Sequence, residues 1–143
     1  MTNEMSPEEK ARVKIDQMLE NAGWQVVDRM AYSSSAVAIA VREGLLKGNK
    51  EADYLLFLDG KAIGVQEAKK EDTKLSEIVA AQAENYTYQL QNWYQYWQKP
   101  LPFVYLSNGK ELLFRDMRVK NDYMPLQKMH TPKELAKMAG IKN

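Results

Sequence analysis

Apolar and polar residues follow two different rhythms along this chain, and the rhythms divide it into elements. Ala11, Ile15, Met18, Leu19 and Ala22 recur at helical spacing. Ser6-Pro7-Glu8-Glu9 places a capping box and an N1 proline in front of them, and Gly23 supplies a stop. The spacing predicts a helix over 6–22. Trp24 to Val27 reads as a short strand, and Val37 to Leu46 alternates around a strand near 39–43, interrupted by Gly44 and Gly48-Asn49. Residues 28–38 are poorly patterned, with Ser33-Ser34-Ser35 as loop. The run YLLFL at 54–58, the turn signal Asp59-Gly60 and the alternating stretch 61–69 predict a β-hairpin.

Beyond the hairpin the period changes. Asp72-Thr73 is placed to cap a long helix over about 74–97. Its inward stripe is expected through Ile78, Val79, Gln82, Tyr86, Gln89 or Leu90, and Trp93. Lys99-Pro100-Leu101-Pro102 reads as a linker. Phe103 to Leu106 and Glu111 to Phe114 flank Asn108-Gly109 as a second hairpin. Residues 119–130 are irregular. Thr131-Pro132-Lys133-Glu134 repeats the capping-box signature and opens a short helix to about Met138, stopped by Gly140.

The first hairpin carries the candidate chemistry. Asp53 opens its first strand, and Glu67 and Lys69 end its second. Side chains two apart on a strand share a face, so Glu67 and Lys69 point the same way. Asp53 joins them only if the loop holds an odd number of residues, because a slip of one turns the strand over. A three-residue loop, Leu58-Asp59-Gly60 with Gly60 left-handed, meets that condition; a two-residue Asp59-Gly60 loop does not. Two carboxylates on one face suit a magnesium ion, whose remaining positions go to water and phosphate. Such an ion beside an ammonium group can stabilise phosphoryl charge and activate water. The blander reading is an exposed hairpin end with a weak surface ion pair.

Composition narrows the choices. The chain has 143 residues, enough for one core. It has no cysteine and one histidine, His130, so any metal must rest on oxygen ligands. With 20 basic and 19 acidic residues the net charge is +1, no footprint for tight autonomous binding of nucleic acid. There is no membrane-spanning run and no signal-peptide core, so a cytoplasmic protein without a membrane partner is expected.

Gln82 and Tyr86, four apart, share the face of their helix that meets the charged strand ends. They either tie up strand ends or orient metal, water or phosphate. Glu8, seven residues before Ile15, extends the core-facing stripe of the first helix, while Glu9 has the capping task. Glu8 can equally be a first-turn acid favoured by the helix dipole. Trp93, Tyr94, Tyr96 and Trp97 suit core packing at a helix end better than base stacking. Arg115, Arg118 and Lys120 read as a solvated basic face.

Asp53, thirteen intervening residues and then Glu67-Ala68-Lys69 resemble the active site of the PD-(D/E)xK nuclease superfamily, with Ala52 where the motif has proline. Gln82-Ala-Glu-Asn-Tyr86 is similar to the Q-x-x-x-Y element that follows the lysine in one branch of it. The ordered phrases IDQMLENAGW, AVREGLLKGNKEADYLLFLDGKAIGVQEAKK, PFVYLSNGKELLFRD and HTPKELAKM resemble the amino-terminal nuclease domain of the motor (R) subunit of type I restriction enzymes. The resemblance implies an α/β fold with a restriction-endonuclease-like α-β-β-β-α-β core, its mixed central sheet flanked by helices. It implies DNA phosphodiester hydrolysis with catalytic Asp53, Glu67 and Lys69 in a restriction system; the alternatives are a stand-alone repair or recombination nuclease of the same superfamily and a non-catalytic domain that docks DNA or partner subunits. The metal, Mg2+ with Mn2+ as substitute, would sit on Asp53, Glu67 and the Ala68 carbonyl. Gln82, Tyr86 and Glu8 would be supporting residues. The expected partners are double-stranded DNA and the methyltransferase and specificity subunits of a restriction complex. No Gly-x-x-x-x-Gly-Lys-Ser/Thr loop is present. Residues 1–143 are therefore expected to be one nuclease domain, the amino-terminal fragment of a larger subunit whose motor, elsewhere, binds ATP.

Overall fold

The computed structural model describes residues 5–29 and 37–141. The Ser33-Ser34-Ser35 loop expected from sequence lies outside them. Helix α1, Pro7–Asn21, starts as its capping box requires: Ser6 Oγ accepts from the Glu9 N–H, and the Glu9 side chain accepts from the Ser6 N–H. Ala11, Ile15 and Leu19 form its buried stripe. Strands β1 (Gln25–Asp28), β2 (Ala38–Leu46), β3 (Lys50–Leu58) and β4 (Lys61–Ala68) follow. Then come α2 (Glu77–Tyr86), β5 (Gln95–Tyr96), β6 (Phe103–Ser107), β7 (Leu112–Asp116), β8 (Met124–Pro125) and α3 (Pro132–Met138). Thr131 and Glu134 close the second capping box.

The described strands form one mixed sheet in the order β1-β2-β3-β4-β6-β7-β8, with β5 also paired to β4. β2, β3 and β4 are antiparallel neighbours, and β4 returns through α2 to a parallel β6. That is the expected α-β-β-β-α-β core with short strands added at its edges. Residues of alternate parity on the central strands serve two cores. On one face Leu55, Phe57, Val65, Val104 and Leu106 pack with Val79, Ala83 and Tyr86 of α2. On the other, Tyr54, Leu56, Ile63, Phe103 and Tyr105 pack with Ile15 and Leu19 of α1 and Leu135 of α3.

Three local expectations are corrected. The hairpin loop has two residues, not three: Leu58 pairs with Lys61, and Asp59 (φ 50°) and Gly60 (φ 80°) are both left-handed, as a type I′ turn requires. The parity is restored within the strand. Phe57 pairs with Ala62, but Leu56 pairs with Gly64, so Ile63 is an extra residue in a β-bulge. Beyond it Tyr54 faces Gln66, and one step further Asp53 stands opposite Glu67.

Helix α2 is shorter than 74–97 and begins after Ser76, whose side chain makes no capping hydrogen bond, not after Asp72-Thr73. Past Tyr86 the backbone finds partners outside a helix. The Gln89 carbonyl accepts from the Lys47 N–H at 2.9 Å, and the Thr87 carbonyl from the Leu101 N–H at 3.1 Å. Ile78 (83% exposed) and Trp93 (66%) therefore leave the expected inward stripe. Nor does Gly44 interrupt β2. It pairs with Ala52, and a Cβ there would lie 2.5 Å from the Leu55 side chain. The glycine makes room for a core leucine rather than ending a strand.

A similar close approach occurs where β4 meets β6. A Cβ on Gly64 would lie 2.8 Å from the Phe103 carbonyl oxygen, a backbone atom that cannot swing aside. Gly64→Ala is expected to cost about 2 kcal/mol by overpacking. Thermal melting should show this as a fall of roughly 5–8 °C; an unchanged melting temperature would mean that the β4–β6 pairing is looser than described.

Candidate active site

The bulge at Ile63 sets Asp53 and Glu67 side by side on the α2 face of the sheet. Each carboxylate is held by the other strand's backbone. The Asp53 N–H donates to Glu67 Oε1 at 3.3 Å, and the Ala68 N–H donates to Asp53 Oδ2 at 2.7 Å. Glu67 is 3% exposed. Burial pushes its carboxyl up to about 8, and the adjacent Asp53 charge and side-chain hydrogen bond add to the rise; the Asp53 N–H and the Lys69 ammonium pull it down. So placed, Glu67 gives up its proton less readily than a free carboxyl.

Lys69 follows β4 directly, and its N–H bonds to the Ser107 carbonyl at 2.8 Å, so the strand direction continues through it. It is half-buried and its charge reaches Glu67. Tyr86, on the last turn of α2, is buried over the same site. Its phenol is pushed up by burial and next by the Glu67 charge, with Asp53 adding to this and the Gln82 bond opposing it. Gln82 Nε2 donates to Tyr86 Oη at 3.0 Å, while Gln82 itself is exposed. Asp53 and Glu67 thus meet directly, the Lys69 charge acts on Glu67, and the charges of both acids act on Tyr86, to which Gln82 is bonded.

Glu8 is not joined to them. It is exposed on the first turn of α1, and no hydrogen bond or ion pair links it to the pair of acids. The α1 residue that reaches the site is Arg12, one turn later: its Nη2 lies 2.5 Å from Asp53 Oδ1 and its Nη1 3.3 Å from Glu43 Oε1. Neither Arg12 nor Glu43 was singled out from sequence. The available signal was helical spacing, since Arg12 is four residues after Glu8 and four before Asp16. Asp16 accepts from the buried Tyr54 Oη at 2.6 Å and pairs with Arg42 at 2.8 Å.

Among the described residues no group of three or more histidine, cysteine or acidic side chains gathers in a metal-holding arrangement. A cation here would rest on two carboxylates and a backbone carbonyl, all hard oxygen donors. Magnesium, which keeps several waters and takes few protein ligands, fits that donor set; zinc, which prefers nitrogen and sulfur, does not.

The fold and site define a mixed α/β domain with a restriction-endonuclease-like core. Residues 28–139 match the family described as the type I restriction enzyme EcoKI endonuclease subunit second domain. The match covers most of the chain, which belongs to this family. No curated protein and no solved structure matches it. Among the described residues no helix is long and apolar enough to cross a membrane.

The crowding of Glu67 against Asp53 has a testable consequence. A carboxyl whose pKa is higher folded than unfolded contributes stability that is full below about 4.5 and is lost as pH rises towards about 8. Glu67→Gln keeps the acceptor for the Asp53 N–H and cannot ionise. In EDTA its melting temperature should rise above that of the wild type by a few degrees between pH 5 and 8.5. A constant difference across that range would mean that the two acids do not crowd each other.

Proposed function

We propose that this domain is the DNA-cleaving unit of a type I restriction enzyme, a divalent-cation-dependent endonuclease of the PD-(D/E)xK kind. The observation that carries this is the pairing of Asp53 and Glu67, each anchored by a backbone amide of the other strand, with the Lys69 charge acting on Glu67. Family membership supports the restriction setting.

In this reading Asp53, Glu67 and the Ala68 carbonyl hold Mg2+, or Mn2+ in its place. When bound, the cation supplies Lewis-acid stabilisation of phosphate charge and makes water a better nucleophile. Lys69 presents a fixed ammonium to the scissile phosphate and its attacking water, where charge builds in the transition state. Tyr86, held by Gln82, limits water access over the acids and orients what is bound there. The near-neutral chain supplies little attraction for a polyanion. Delivery of double-stranded DNA therefore falls to the ATP-driven motor of the same subunit and to the methyltransferase and specificity subunits.

The test is a plasmid-cutting assay beside an ATPase assay on the assembled restriction complex. Asp53→Asn, Glu67→Ala and Lys69→Ala should each lower cleavage by on the order of 100-fold or more, since each removes a stabiliser of the transition state. ATP hydrolysis should be unchanged. Tyr86→Phe should be milder, about tenfold. Normal cutting by Lys69→Ala would remove the lysine from the mechanism. Parallel loss of cutting and ATPase would point to assembly instead.

A further inference from the structure

Both oxygens of Asp53 are engaged. Oδ2 takes the Ala68 N–H, and Oδ1 takes the Arg12 guanidinium at 2.5 Å. The same guanidinium reaches Glu43 with its other terminal nitrogen at 3.3 Å. Glu43 is an unusual residue. The β2–β3 pairing runs Arg42 to Tyr54 and Gly44 to Ala52, so Glu43 is the position skipped, across from Asp53. Its φ of 52° is left-handed, a conformation that a residue with a long side chain adopts only when its surroundings impose it. Its carbonyl accepts from Arg29 Nη1 at 3.2 Å, which helps to impose it. The Glu43 carboxylate lies beside the Arg12 fork, and its side chain is 54% exposed against 17% for Asp53.

A guanidinium is charged at every accessible pH, and it cannot share Oδ1 with a divalent cation at ligand distance without strong repulsion. We propose that Arg12 is a positioning residue that serves as the counter-charge of Asp53 in the metal-free protein and shifts to Glu43 when a divalent cation takes Asp53. This rests on the reading of Asp53 and Glu67 as cation ligands. Glu43 is then the alternative partner that lets Arg12 leave Asp53 without losing its pairing. Because linkage is reciprocal, whatever Arg12 loses on cation entry appears as weaker cation affinity. Arg12 therefore sets the cation concentration at which the site fills. Asp53 has its charge balanced in either state.

The experiment is titration of the metal-free protein with Mn2+ alone, read by calorimetry and by the electron paramagnetic resonance signal of free Mn2+. Arg12→Gln should tighten Mn2+ binding by about fivefold or more, whereas a merely structural arginine would leave it unchanged or weaken it. Glu43→Gln should weaken binding when Arg12 is present and lose most of that effect in the Arg12→Gln background, a coupling that a double-mutant cycle isolates. Unchanged or weaker binding by a folded Arg12→Gln overturns the proposal. So does an effect of Glu43→Gln that is independent of Arg12; if Arg12→Gln does not fold, unchanged affinity in Glu43→Gln alone does the same. Mn2+ uptake that survives Asp53→Asn, or no uptake by any form, overturns the cation reading itself, a result distinct from failure of the Arg12 exchange.

Discussion

A β-strand shows every second side chain to the same face, and this parity decides whether the domain has a site at all. In a hairpin closed by the two-residue Asp59-Gly60 turn, regular pairing would set Asp53 opposite Gln66, with Glu67 opposite Ala52. The acids would then lie on different faces. The extra residue at Ile63 changes the register once, between the turn and the site. Below it the turn is a common type I′; above it Asp53 and Glu67 face each other. The bulge also keeps Ile63 and Leu56 in the core under α1. A one-residue insertion thus reconciles a favoured turn, a continuous core and two converging carboxylates.

That constraint explains what could be read from sequence and what could not. The requirement that the acids share a face was legible, because parity follows from counting residues. The device that meets it was not, because its one mark, Gly64 inside the strand pattern, is equally the mark of the close approach to Phe103. Capping was legible for the same reason that it is strong: Ser6 with Glu9 and Thr131 with Glu134 are local, reciprocal hydrogen bonds that need nothing from the fold. The length of α2 was not. Leu90, Tyr94 and Trp97 continue an apolar pattern, but the burial of the first two and the partial burial of Trp97 come from contacts outside a helix. Leu90 bridges to Leu46, the Tyr94 ring packs tilted against Phe57 at 5.3 Å between centroids, and Trp97 Nε1 donates to the Leu58 carbonyl. Apolar spacing reports burial, and here tertiary partners rather than helical period accounted for it.

The site residues divide similarly. Asp53, Glu67 and Lys69 lie on one hairpin, where spacing along the chain translates directly into geometry. Arg12 and Glu43 come from α1 and β2, and their meeting depends on how the helix lies across the sheet. Glu43 further depends on a left-handed backbone that no glycine or asparagine announces. Glu8 shows the limit of the helical-face argument. It is placed to extend the stripe of Ala11, Ile15 and Leu19, but burial begins only at Ala11, and Glu8 is exposed.

The placement of α1 separates its structural task from its electrostatic one. Neighbouring residues on β3 point to opposite faces, and α1 is tied to both. Asp16 takes the buried Tyr54 hydroxyl and the Arg42 fork on the core side, next to Ile15 and Leu19. Arg12, one turn earlier, reaches Asp53 beyond it. A buried phenol left without its acceptor would cost on the order of 1–3 kcal/mol, so the Asp16 contact holds the helix in place. The Arg12 contact, with its side chain about a third exposed, contributes far less to folding. In the proposed exchange, the fixed contact at Asp16 and the exchangeable one at Arg12 lie a single turn apart on the same helix, so that Asp16 keeps α1 anchored while the arginine changes partner.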